Sequence, residues 1–110
     1  MRREGADAPR WIRTSEHKPR SFGPAFEDET DWLLVSGAFV VGRVYRPLTG
    51  PRHDPHWALT GPPTPKAVFE QHYGWATSAD EAKAKLFGAW CAWLRWAELP
   101  VPEAPAAAAS

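Results

Sequence analysis

His53-Asp54-Pro55-His56 is the one cluster in the chain with metal-ligating types at short spacing. Imidazole nitrogens bind zinc, and His72 or Cys91 could complete a four-ligand set. The pattern lacks the C-x-x-C half of a structural zinc site. A single H-x-x-H in a proline-rich loop is commonly surface turn chemistry, with Asp54 before Pro55 starting the turn. No metal or other cofactor is therefore expected. Cys91 and His72 are also the types of a nucleophile–base pair. Cys91, however, falls inside a Trp-rich helical stretch, where a buried inert thiol is the commonest fate. There is no G-x-S-x-G, no glycine-rich phosphate loop and no H-E-x-x-H. No catalytic residue is named, and the chain reads as non-enzymatic.

Recognition chemistry has more to work with. The chain holds seven tryptophans in 110 residues. Trp90, Trp93 and Trp96 fall at about 80°, 20° and 320° around a helix of 3.6 residues per turn. One small sheet face cannot cover all three. Trp is enriched at binding hot spots, so Phe87, Trp90, Trp93 and Trp96 are the candidate partner interface, for another protein or for self-association as a homodimer. The alternative is nucleic-acid binding by Arg43, Arg46 and Trp57 on an open sheet face. A basic arm containing Arg2, Arg3, Arg10, Arg13, Lys18 and Arg20 would assist. A formal net charge of zero removes the usual electrostatic argument for a dedicated nucleic-acid or anionic-membrane binder.

The element that must position the aromatics is a helix from residue 78 to about 99. Ser78 and Glu81 form an S-x-x-E capping box, in which the Glu81 carboxylate can reach back to the Ser78 amide. Asp80 and Glu81 suit the positive end of the helix dipole, and Pro100 and Pro102 stop the pattern. Ala82, Leu86, Ala89, Trp90, Trp93 and Ala97 share one stripe. Phe87 and Leu94 widen it on one side and Trp96 on the other, so the apolar sector approaches half the circumference. Gly88 costs about 1 kcal/mol relative to Ala in mid-helix, which a close neighbour would explain.

Ahead of the helix, residues 32–36 and 39–46 are β-rich runs around Gly37, a hairpin signal. In the second run Val40, Gly42, Val44 and Arg46 alternate with Phe39, Val41, Arg43 and Tyr45. Gly42 suggests a bulge, or a helix tryptophan lying across the strand. Residues 56–60 read as a third strand, with Trp57 and Leu59 on one face, and residues 73–76 as a short fourth. Residues 67–72 are ambiguous between a helical turn and irregular structure. Residues 1–30 read as a disordered or loosely held arm, with an acidic cluster at Glu27, Asp28, Glu29 and Asp31; Trp11 and Ile12 could dock it. Residues 100–110 form an Ala/Pro tail expected to be disordered. The expectation is one α+β domain over residues 31–99: an antiparallel sheet of three to four strands packed on one long C-terminal helix.

Gly74-Trp75-Ala76-Thr77-Ser78-Ala79-Asp80-Glu81-Ala82 is similar to the strand-to-helix step of AP2-like three-strand-plus-helix domains, including the arm-binding domains of phage integrases, and of HicB-like antitoxins. Val41-Gly42-Arg43-Val44-Tyr45-Arg46 together with that step resembles small uncharacterised proteobacterial proteins. The first two likenesses imply DNA contact or toxin binding, and the third implies a bacterial origin with no stated function. The AP2-like pattern carries several basic residues on the open sheet face, where this chain offers Arg43, Arg46 and Arg52. One cysteine excludes an intrachain disulfide, no apolar run is long enough for a membrane span, and no apolar stretch follows the N-terminal arginines. A cytoplasmic location is the resulting expectation.

Overall fold

The computed structural model describes residues 8–14, 31–47, 54–65 and 71–105. Among these residues five strands, β1 (Pro9–Arg13), β2 (Trp32–Ser36), β3 (Phe39–Tyr45), β4 (His56–Leu59) and β5 (Tyr73–Trp75), precede one helix, α1 (Ala79–Trp96). The strands form a single antiparallel sheet in the order β1-β2-β3-β4-β5, and α1 packs across one face. The α+β arrangement is the one the sequence predicts, with one strand more than expected. The extra strand is β1, which the sequence placed in a loose arm. It pairs with β2 from Pro9↔Ser36 to Arg13↔Trp32. Trp11 and Ile12 thus join the fold by backbone pairing. The rest of the arm, including Glu27, Asp28 and Glu29, lies outside the described residues, as do residues 66–70 and 106–110.

The core is the layer between sheet and helix. Trp32, Leu34, Val41, Val44, Trp57 and Leu59 meet Ala82, Leu86, Trp90 and Leu94. A bulge in the β2–β3 ladder shapes this face. Leu34 pairs with Gly42 but Val35 pairs with Val40, so Val41 is the extra residue. A bulge breaks strict alternation. Val41 therefore joins Gly42 and Val44 on the helix side, and Phe39 follows, its ring 6.1 Å from that of Trp90. The plain two-residue alternation, which put Phe39 and Val41 opposite Gly42, is corrected by this one residue.

At Gly42 a helix side chain presses directly onto the strand backbone. A Cβ there would stand 2.3 Å from the Ala58 carbonyl oxygen and 2.7 Å from a Leu86 methyl. The crossing side chain is a leucine, not a tryptophan. Gly88 differs from expectation: nothing lies within 4 Å of the position a Cβ would take, and the residue is exposed. The hairpin turn is set by Gly37 at φ 62°, the positive value a two-residue type II′ loop needs at its first position.

On the outer face, Asp31 fastens three strands together. Its carboxylate accepts from Arg43 Nε at 2.9 Å, Arg43 Nη2 at 2.7 Å and the Thr14 hydroxyl at 2.5 Å. Asp31 is 3% exposed. Arg43 also lies over the Tyr45 ring, 4.3 Å from its centroid.

Both ends of α1 are closed. Ser78 Oγ accepts from the Glu81 amide at 3.0 Å. The Glu81 carboxylate reaches one residue beyond the expected Ser78 amide, accepting from the Thr77 amide at 2.6 Å and the Thr77 hydroxyl at 2.7 Å. At the C-terminus, Glu98 N–H donates to Arg95 O and Leu99 N–H to Leu94 O, the paired bonds of a Schellman motif. Glu98 holds its left-handed position at φ 62°.

Candidate functional site

Residues three apart on a helix step back by about 60° around its axis. Trp90, Trp93 and Trp96 therefore form a slanting row that climbs from core to solvent. Trp90 is 6% exposed, Trp93 is half-buried and Trp96 is 46% exposed. The Trp90 and Trp93 rings stack at 5.6 Å and 8°, and Trp93 and Trp96 are 6.0 Å apart with a 59° tilt. Phe39 extends the row from the sheet side and is 44% exposed. Leu99 and Val101 expose further apolar surface just past the helix. The Trp93 indole N–H donates to the Pro63 carbonyl at 2.6 Å.

Phe87 does not belong to this ridge. It lies on the other edge of α1, beside a cleft of about 290 Å³ lined also by Trp11, Asp80, Lys83, Ala104 and Pro105. Lys83 is nearly buried there, its Nζ 3.8 Å from the centroid of Trp32 and 5.3 Å from that of Trp11. Desolvation lowers the Lys83 pKa, partly offset by the Asp80 charge, while the Arg13 charge adds to the lowering.

The predicted nucleic-acid contacts are separated. Trp57 is buried against the helix, because its strand alternates Trp57 and Leu59 inward. Arg43 is on the outer face but held by Asp31, with its side chain 12% exposed. Arg46 is exposed. The outer face carries an aromatic row that the sequence reading missed. Tyr45 pairs with His56 and His56 with Trp75, with ring centroids 5.4 and 4.8 Å apart. Tyr73, 56% exposed, lies 6.1 Å from His56. Its signal was the cross-strand register, which is invisible until strands are paired.

His53 lies outside the described residues. Among the described residues, no group of three or more His, Cys, Asp or Glu is placed to hold a metal ion. His56 packs among aromatic rings. Cys91 is buried, and burial raises its thiol pKa, with Arg95 pulling the other way. The thiolate is the reactive form, so this environment works against a nucleophile. No helix among the described residues is long and apolar enough to cross a membrane.

No protein-family model, curated protein or solved structure matches the chain.

Proposed function

We propose that this chain is a non-catalytic protein-interaction module whose contact surface is the ridge Phe39, Trp90, Trp93 and Trp96. The observation that carries this reading is the graded exposure of one continuous aromatic row. Its inner end is anchored in the core and its outer end is 46% exposed at Trp96. Rigid aromatic side chains offer large contact area at low entropic cost, and a row anchored in the core is held in place before any partner arrives. The site works in the cytoplasm in this reading, consistent with the single buried thiol.

A photo-crosslinking amino acid at position 96 tests it, with the exposed position 84, about 120° away around the helix and three turns back, as control. Protein adducts at 96 and not at 84, lost to competition by unlabelled chain but not by its Trp96→Ala variant, are expected. Equal labelling at both positions, in a chain that sediments as a strict monomer, would refute it.

A second reading, nucleic-acid binding on the outer sheet face, is favoured by the Tyr45, His56, Trp75 row with Tyr73 beside it. Exposed rings on a sheet can stack bases. Its cationic part is thin, with Arg43 held by Asp31 and Arg46 remaining. A salt-dependent gel shift with random single-stranded oligonucleotides, abolished by Tyr73→Ala, is the result this reading requires.

A further inference from the structure

The ridge already carries an extended segment, and that segment comes from the chain itself. Gly61-Pro62-Pro63-Thr64-Pro65 follows β4 and runs onto the aromatic row. Gly61 is pressed against Phe39: a Cβ at Gly61 would stand 2.9 Å from the ring. Two residues on, the Pro63 carbonyl takes the Trp93 indole N–H at 2.6 Å. Pro62, between these two contacts, is buried.

Proline fixes φ near −65° and has no backbone N–H to donate. A run of prolines is therefore extended before it binds, and little ordering entropy is lost when it docks. Its carbonyls have no intrasegment donors, so they accept from outside. An indole N–H on such a carbonyl, with aromatic rings alongside, is the chemistry by which aromatic grooves read proline-rich strands. Pro62 and Pro65 stand in P-x-x-P spacing.

The ridge continues past the place this segment occupies. Trp93 and Trp96 form a wedge, 6.0 Å between centroids and tilted by 59°. Leu99, 48% exposed, lies beyond it.

We propose that the Trp93–Trp96 wedge binds a proline-rich extended segment of a partner protein, alongside residues 61–65, which occupy the inner part of the same ridge in cis. This rests on the ridge being a protein interface and names the chemistry of its partner. The bound strand lays its proline rings against the exposed indole faces, while the Trp93 N–H stays with Pro63. Residues 61–65 hold the inner part of the ridge and set the direction from which such a strand continues.

The probe is a synthetic nonapeptide with the sequence of residues 59–67, Leu-Thr-Gly-Pro-Pro-Thr-Pro-Lys-Ala. Its control has all three prolines replaced by alanine. Both are titrated into the full chain labelled with ¹⁵N at its tryptophan indoles. Saturable shifts of the Trp93 and Trp96 indole signals are expected with the proline peptide, with the control weaker by about tenfold or more. Trp96→Ala should weaken binding about tenfold while the remaining indole signals keep their dispersion. Unmoved Trp93 and Trp96 signals at millimolar peptide, or equal binding of the alanine control, would overturn the proposal. If that happens while position 96 still crosslinks specifically to a protein, the protein-interface reading stands and the proline-rich partner falls. If both fail, both fall.

Discussion

At the scale of single residues, Asp31, Gly42 in the helix–sheet layer and Gly88 on the exposed side of α1 are the most telling. Asp31 holds Thr14 and the Nε and Nη2 of Arg43 from a buried position. Asp31→Ala would leave Arg43 covered and without its carboxylate, so a loss of about 3–5 kcal/mol is expected from denaturant unfolding. Arg43 shows why residue type alone misleads. An arginine on a strand looked like a phosphate contact, and its carboxylate is twelve positions away, beyond the reach of a local pattern. Gly42 and Gly88 were both legible as glycines in need of a reason, and only one has it. Gly42→Ala must move the Ala58 backbone or the Leu86 side chain and should cost about 1–3 kcal/mol or more. Gly88→Ala meets open space in mid-helix and should raise stability by about 1 kcal/mol. Parallel urea unfolding of the two variants checks both signs.

At the scale of elements, the helix and strands β2 to β5 were readable, since period and capping residues are local properties. β1 was not. Its five residues put Trp11 and Ile12 on opposite faces among arginines, so neither alternation nor helical period stands out, and it is recruited by pairing with β2 from well along the chain. The bulge at Val41 hid Phe39 from the candidate interface, because one extra residue reverses the face of all that precedes it. The helix start yields a pH prediction. Hydrogen bonds from the Thr77 hydroxyl and amide hold the Glu81 carboxyl below its ordinary value of 4.5. The unfolded chain then binds more protons in that range, so the cap's contribution is full above about pH 4.5 and is lost as pH falls through the depressed value. Stability of Glu81→Gln should lack this component of the acid slope, as chemical unfolding between pH 3 and 6 would show. At the other end, Glu98 occupies a left-handed position that glycine adopts without steric cost. Glu98→Gly should raise the thermal midpoint, with a gain of about 1 kcal/mol.

At the scale of the whole molecule, the helix is broader in its apolar sector than one sheet can cover, and that much was visible from the spacing of its tryptophans. What lies along the two edges was not, because both edges are dressed by proline-rich segments with no period to read. Residues 61–65 lie along the Trp93 edge and Ala104 and Pro105 along the Phe87 edge. Ending the chain at Leu99 would uncover Phe87 and Trp11, so increased binding of a hydrophobic dye and a stability loss of about 1 kcal/mol are expected. The strand order also has a consequence for how the chain is made. Every strand pairs with its neighbour in sequence, so the sheet can assemble in the order of synthesis. The lid over its apolar face, α1, is translated after all five strands. At about 5–20 residues per second, the twenty or so residues from the end of β5 to the end of α1 take roughly 1–4 s to synthesise. For that interval Trp32, Leu34, Val44 and Trp57 lack the helix that covers them, and the apolar face is open to aggregation until α1 is made.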